Sequence, residues 1–412
     1  MIRAVKATRD ILPPASGTWN FVEETARRVF AAYNYQEIRT PIFEETALFA
    51  RGVGQDTDIV SKEMYTFDDK GTSLTLRPEN TASVMRAYIE HRLDQQPGLQ
   101  KLYYIGPMFR RERPQKGRYR QFFQIGAEVI GSESPVVDAE TIEMVTELLN
   151  AVGLTGYELL INSVGCPACR ATFVAALRER LASVKDRMCG DCQRRAETNP
   201  LRVLDCKVPE DQPIIETLPS ILDSLDPDCK AHFEAVRLYL DDRQIPYQVR
   251  PRLVRGLDYY MRTTFEIVSG HLGAQNSVLG GGRYDGLAEA LDSKVKAPGI
   301  GFSIGEDRLV MTVEETRTGQ VVADLFIAPM GEAALRHCGV LARDLRREGI
   351  RVELSTDAKL KRALETANKT GARFVLVVGD NEMAAGSYQL KNMASGQQAA
   401  VTRADLAGLL RR

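Results

Sequence analysis

Two strand-like runs, LYYIGPMFRRE from Leu102 and QFFQIGAEVIG from Gln121, flank a loop crowded with charge. Arg110, Arg111, Arg113, Lys116, Arg118 and Arg120 fall within eleven residues, with Glu112 as the only acid. Period-two alternation in the second run puts Phe123, Ile125, Ala127 and Val129 on one face and Gln124 and Glu128 on the other. The apolar face requires a core, so the polar row and the cationic loop are left to share a concavity. Guanidinium forks match phosphate oxygens, and a nucleoside triphosphate fits such a place. The plain alternative is a solvated hairpin tip.

The chain has 412 residues, 44% hydrophobic and 26% charged, enough for two or three domains with ordinary cores. A net charge of −1 argues against a general nucleic-acid coater while allowing a local basic groove. The start, MIRAVKATRDILPP, has no apolar centre and does not read as a secretory signal, and no apolar run approaches a membrane span of about 20 residues. A cytoplasmic protein is expected, with no membrane partner. None of the four histidines, His91, His232, His271 and His337, lies in a polar cluster, so chemistry built on a histidine base is not expected.

Helical spacing runs from Thr18 to Tyr33 through Phe21, Val22, Ala26, Val29 and Phe30. Tyr35 to Phe43 reads as an edge or bent strand interrupted by Pro41. SLTLRPENTASVMRAYIEH reads as a strand followed by a helix with Pro78 in its first turn. A further helix is expected around Asp138 to Leu149. GGGRYDGLAEAL reads as a glycine turn feeding a helix, and APGIGFSIGEDRL as a strand feeding another. The stretch TRTGQ, Thr316 to Gln320, is a linker by composition, and beyond it ADLFIAP, GIRVEL and ARFVLVVGD predict a βαβαβ unit with a parallel sheet. The expected domains are therefore 1–315, with a cysteine-rich insertion at about 165–224, and 321–412.

No Walker-type loop is present, so a P-loop nucleotide site is excluded. In RGLDYYMRTTFEI, Thr263 to Ile267 is ordinary strand, and its lead-in gathers an arginine, a glycine, an acid and two tyrosines. Alternation from Tyr259 would send Tyr259 and Tyr260 to opposite faces.

Taken in order, FRRERPQKGRYRQFFQIGAEVIG, RGLDYYMRTTFE, GGGRYDGL and APGIGFSIGEDRL resemble the histidyl-tRNA synthetase family of class II aminoacyl-tRNA synthetases. YQEIRTPIFEE resembles its dimer-interface motif, and FRRE and GEDRL its second and third class II motifs. The resemblance implies an α+β fold: an antiparallel catalytic sheet flanked by helices, with a C-terminal α/β anticodon-binding domain. It also implies a homodimer that joins L-histidine, ATP and tRNA(His), with Mg²⁺ on the pyrophosphate side. Arg110 would hold the α-phosphate and the attacking carboxylate, Arg118 and Arg308 the outer phosphates, and Glu112 would sit near the adenine. Glu79 and Thr81, with Asn80 between them, would meet the substrate ammonium, and Gln124 the amino acid's polar groups. Glu128 and Tyr260 would pair with the imidazole, Tyr259 would also lie near histidine although alternation makes Tyr260 the preferred of the two, and Arg255 would stabilise the charge at phosphorus. Gln115 and Arg113 are candidates for the tRNA acceptor end, and Lys359, Lys361 and Arg362 for the anticodon side.

The insertion stands outside that resemblance. Cys166 and Cys169, then Cys189 and Cys192, form two C-x₂-C pairs, the spacing of one closed four-thiolate structural zinc site. The alternative is a set of ordinary thiols. Two rival functions also stand: a non-catalytic regulatory subunit of ATP phosphoribosyltransferase, and a ligase that makes amino-acid adenylates without tRNA. By the resemblance, the intact RGLDYY string and the C-terminal domain speak against the first, and the C-terminal domain alone against the second.

Overall fold

The computed structural model describes residues 2–411, apart from residues 56, 58, 113–116, 255, 271–276, 315–322 and 358. The chain divides into two compact units, Met1–Thr316 and Arg317–Arg412.

The strands of the first unit are β1 (Gln36–Glu37), β2 (Phe43–Glu45), β3 (Tyr65–Asp69), β4 (Thr72–Leu76), β5 (Gln100–Phe109) and β6 (Gln121–Ile130). They continue with β7 (Tyr157–Ser163), β8 (Gln248–Val249), β9 (Met261–Ser269), β10 (Ser277–Arg283) and β11 (Gly299–Gly305). Eight of them form one sheet in the order β1-β5-β6-β11-β10-β9-β7-β8. Its interior pairs are antiparallel, and only the short end strands β1 and β8 pair parallel to their neighbours. A smaller sheet, β2-β4-β3, lies apart from it. The expected strand across Pro41 is two short pieces, β1 and β2, because proline brings no N–H to a ladder.

One face of the large sheet is covered by helices. Trp19, Val22, Ala26 and Phe30 recur every three or four residues along the helix Ala15–Ala32 and pack on Ile125, Ala127 and Val129 of β6. The helices Pro135–Ala151 and Pro227–Asp242 complete this core with Ile142, Leu149, Phe233 and Val236. The opposite face carries a second core around Met85, Tyr104, Met108 and Tyr284. Both faces of β6 are thus covered, and Gln124 and Glu128 are buried polar groups rather than wet ones.

GGGR is not a turn. It is the body of β10, paired to β9 on one side and β11 on the other. Glycine is required there: a Cβ on Gly281 would meet the Gly301 carbonyl at 2.5 Å and the Phe265 ring at 2.5 Å. Arg283 is fully buried and answered by Asp138 at 2.6 Å, Asp285 at 3.0 Å and the Ser132 and Ser134 carbonyls. It is a structural cation.

The insertion follows β7 as the 18-residue helix Pro167–Val184 and several short helices, with a private core that includes Phe173, Leu177, Cys192, Cys206 and Ile221. In the second unit, β12 (Leu325–Pro329), β13 (Val352–Leu354) and β14 (Phe374–Val378) are parallel, as the βαβαβ reading expects. Two further strands, β15 (Ser387–Asn392) and β16 (Gln398–Thr402), add an antiparallel edge that the sequence reading lacks. Among the described residues no helix is long and apolar enough to cross a membrane.

Candidate active site

A cleft of about 800 Å³ opens in the first unit, and Arg110, Glu112, Arg118, Gln124, Tyr260 and Arg308 line it together. Arg110 follows the last residue of β5; its Nε donates to the Pro78 carbonyl at 2.9 Å and its guanidinium lies over the Phe122 ring at 5.3 Å. Glu112 sits between two cations, with Oε1 3.8 Å from Arg110 and Oε2 2.7 Å from Arg118. Arg308 donates to the Ser277 carbonyl at 2.7 Å. Burial and the nearby Arg118 lower its pKa, against Glu112 and Glu266. Glu112 and Glu266 offset part of this crowding of cations, and an entering anion would add to that.

Of the polar row of β6, Gln124 lines the cleft and Glu128 is buried in the sheet. Gln124 donates from Nε2 to Ser303 at 3.3 Å, while its buried Oε1 finds no partner among the described residues. An unanswered buried acceptor marks a place for a ligand donor. Gly126 follows, and the Tyr104 ring fills its missing side chain: a Cβ there would lie 2.3 Å from the ring. Glu128 comes next, almost wholly buried. Its Oε1 accepts from Thr81 at 2.7 Å and Tyr104 at 3.5 Å, and its Oε2 from Tyr284 at 2.7 Å. Burial pushes its pKa up to about 8, against these hydroxyl donors.

Glu79 does not project freely. Its carboxylate accepts from the backbone N–H of Thr81 at 2.8 Å and Ala82 at 3.0 Å, so it caps the helix Thr81–Glu90. That helix therefore starts three residues later than Pro78 suggests. Burial raises the Glu79 pKa, and the two N–H donors and Arg110 oppose the shift. Asn80 is buried with Oδ1 held by Thr40 at 2.6 Å and Arg77 at 3.4 Å, a link between the chain around Pro41 and the helix start.

The alternation argument for Tyr259 and Tyr260 has no strand to act on, because β9 begins at Met261. The two rings lie 4.7 Å apart. Tyr260 lines the cleft, and Tyr259 packs edge-on against Tyr284 at 6.0 Å. Arg255 lies outside the described residues, as do Arg113 and Gln115 of the basic loop; Gly256 and Leu257, just beyond Arg255, are on the cleft wall.

Several contributors escape sequence reasoning. Tyr284 stands behind three glycines that read as a turn. Gly301 faces Glu128 across the β6–β11 pair, and a Cβ there would lie 1.7 Å from Glu128 Oε2. From the insertion, Arg202 donates to the Gly256 carbonyl at 2.7 Å, and Arg170 to the carbonyls of Asp258 and Tyr260. Two arginines of the insertion thus hold the backbone of the loop that leads into β9.

The four paired cysteines do not form one centre. Cys166 and Cys169 gather with Asp226 and Cys229, whereas Cys189 and Cys192 gather with Cys206 and Asp211. Each C-x₂-C pair opens a different helix, Pro167–Val184 or Gly190–Thr198, and meets its partners locally. For a hard cation the cleft offers Glu158 and Glu266, on the neighbouring strands β7 and β9, with no group of three acids among the described residues. That donor set fits a Mg²⁺ held mainly by phosphate oxygens and water.

Comparison with known proteins covers the whole chain. A family model described as histidyl-tRNA synthetase matches residues 7–309, and one described as an anticodon binding domain matches residues 324–412. A histidine–tRNA ligase of Solibacter usitatus is 71% identical over 411 residues, covering 100% of this chain and 99% of the relative. One from Koribacter versatilis is 61% identical over 425 residues, 100% of this chain and 96% of the relative. The crystal structure of apo Staphylococcus aureus histidyl-tRNA synthetase superposes with a TM-score of 0.81 at 41% identity, covering 100% of both chains.

Proposed function

The chain belongs to the histidyl-tRNA synthetase family, and we infer from that premise that it is a histidine–tRNA ligase. It activates histidine with ATP and passes the histidyl group to the 3′ end of tRNA(His). In the first step a histidine carboxylate oxygen bonds to the α-phosphorus and pyrophosphate leaves; in the second a terminal tRNA hydroxyl attacks the acyl carbon and AMP leaves. The regulatory-subunit reading is not favoured, since the chain carries the anticodon binding domain and is 71% identical to a ligase over its length.

The observation that carries the site reading is the orphaned Oε1 of Gln124 beneath a cationic wall: an acceptor for a substrate amino group beside donors for phosphate. Arg110 would bind the α-phosphate and the carboxylate, and Arg118 and Arg308 the outer phosphates, with Glu112 near the adenine. Gln124 and Thr81 would receive the ammonium. Glu79 would add its charge from behind the helix start, and Asn80 would support without touching the ligand. Glu128, Tyr260 and Tyr259 would enclose the imidazole. Neither step needs a protein nucleophile; positioning and charge stabilisation at phosphorus carry the rate. Arg255 would take the charge that develops there. Mg²⁺, held by the phosphates with Glu158 and Glu266 nearby, would neutralise departing pyrophosphate.

Ile42, Phe43 and Phe67 are exposed around Pro41, which supports a homodimer through that patch. Lys359, Lys361 and Arg362, at the start of the helix Leu360–Lys369, would meet the anticodon side of the tRNA, and Arg113 and Gln115 the acceptor end. A cytoplasmic location and a structural Zn²⁺ in the insertion complete the reading. ATP–pyrophosphate exchange with each of the twenty amino acids tests it. Exchange is expected with histidine alone; exchange with another amino acid, or with none, overturns the assignment.

A further inference from the structure

We propose that the insertion binds two separate zinc ions, one at its neck on Cys166, Cys169, Asp226 and Cys229, and one in its interior on Cys189, Cys192, Cys206 and Asp211. This deepens the reading of the insertion as a zinc module and does not depend on the synthetase chemistry.

Within each group all four donor atoms lie within 4.8 Å of one another. At the neck the sulfurs of Cys166 and Cys169 are 3.5 Å apart, and each is 3.0 Å from Asp226 Oδ2. In the interior Cys189 and Cys206 are 3.9 Å apart, and Cys206 is 3.3 Å from Asp211 Oδ2. A tetrahedron with Zn–S of about 2.3 Å sets sulfurs about 3.8 Å apart, so the thiol spacings already suit the ion. The sulfur–oxygen spacings need to open by only a few tenths of an ångström, on the order of a side-chain adjustment.

Disulfides do not account for the arrangement. Bonded sulfurs lie about 2.05 Å apart, and three cysteines in each group leave one over after any pairing. In both groups the carboxylate is oriented by a backbone N–H, from Cys229 to Asp226 Oδ1 at 2.7 Å and from Cys189 to Asp211 Oδ1 at 2.9 Å. Second partners of that kind are what fix a metal-ligating carboxylate. The same three-thiol, one-carboxylate set thus occurs twice, with the same supporting contact.

Position gives each centre a task. The neck group joins the chain as it leaves β7 to the chain as it returns into the helix Pro227–Asp242, tying the two ends of the insertion together. The interior group joins the start of the helix Gly190–Thr198 to the turns that follow it, where Arg202 reaches Gly256. A module with a small apolar core gains most from such staples.

The test is metal analysis of the full-length protein purified without chelators. Two zinc ions per chain are expected, one remaining after the double change Cys169→Ser and Cys229→Ser, one after Cys192→Ser and Cys206→Ser, and none after all four. Cobalt substitution should give sulfur-to-metal charge transfer that each double change halves. Should those variants fail to fold, mercurial titration of the unaltered protein decides: two zinc ions should leave as six thiols react. One zinc per chain or none, or two that persist in both double variants, overturns the proposal. Pyrophosphate exchange on the same samples shows separately whether the synthetase assignment stands.

Discussion

Glu128 is buried in the sheet that carries the cleft, Gly256 lies on the cleft wall, and the protein holds them by different means. Glu128 is built into the large sheet: Tyr284 and Thr81 reach its two oxygens from neighbouring elements, and Gly301 opposes it across a strand pair. Gly256 sits in an irregular loop held from the insertion by Arg202. The floor is rigid because the strand that carries Glu128 is laddered on both sides, and its side-chain positions are set by register. The loop has no ladder and relies on a few charge-assisted bonds to its carbonyls, each worth about 1.5–3 kcal/mol. A site divided this way should fail in two distinguishable manners, substrate affinity from the floor and turnover from the loop.

The largest effect is expected at the loop. Arg255→Ala should slow histidyl-adenylate formation by about 10³-fold, as loss of a transition-state donor does, with histidine affinity nearly unchanged. Pre-steady-state adenylation with equilibrium binding of histidine checks it; a collapse of affinity with normal chemistry would move Arg255 to the floor's side of the comparison. Next is the floor. Gly301→Ala drives a Cβ to 1.7 Å from Glu128 Oε2 and 2.6 Å from the Ala127 carbonyl. The carboxylate must move and the β6–β11 pair must shift with it, at about 2–3 kcal/mol. The KM for histidine should rise about a hundredfold at that cost, and an unchanged KM would detach Glu128 from the substrate.

Glu128→Gln should raise that KM by about thirtyfold, the worth of one charge-assisted bond, and should alter two pH profiles. Because burial raises the folded pKa of Glu128 to about 8, the native state holds a proton that the unfolded chain releases at ordinary carboxyl values. Its burial is therefore least costly at low pH, and stability falls as pH rises from the usual carboxyl range through about 8. The glutamine variant lacks that loss, so its Tm advantage should widen from pH 5 to pH 9. Wild-type KM for histidine should also climb above about pH 8, where Glu128 of the free enzyme loses its proton, and the variant's should not. Parallel Tm curves for the two proteins would refute the shift. The smallest effect belongs to Arg202→Ala: kcat for exchange down about tenfold, consistent with one lost carbonyl bond, with KM for histidine little changed. If KM moves instead, floor and loop are one unit.

Legibility followed the same division. Alternation in β6 identified its apolar face and the shared face of Gln124 and Glu128, because a period of two survives whatever packs on the sheet. Alternation failed at Tyr259 and Tyr260 because no ladder holds that stretch, and GGGR was misread because consecutive glycines mark turns in isolation but also permit close strand packing. The cysteine spacing correctly drew attention to the insertion and gave the wrong grouping. Spacing fixes which thiols share a helix start; it does not say which distant carboxylate or third cysteine folds onto them.

The sequence by itself determined the family, through motifs long enough to be specific, together with the core-facing positions of helices and strands and the cationic character of one loop. Tertiary structure alone decided that Glu128 is enclosed by Tyr284 and Thr81, that Glu79 caps a helix, that Gly301 must lack a side chain, and that the cysteines form two groups. The physical reason is range. Periodicity and capping act over a few residues, whereas burial, pKa and ligand grouping depend on which remote segments the fold brings within a few ångströms.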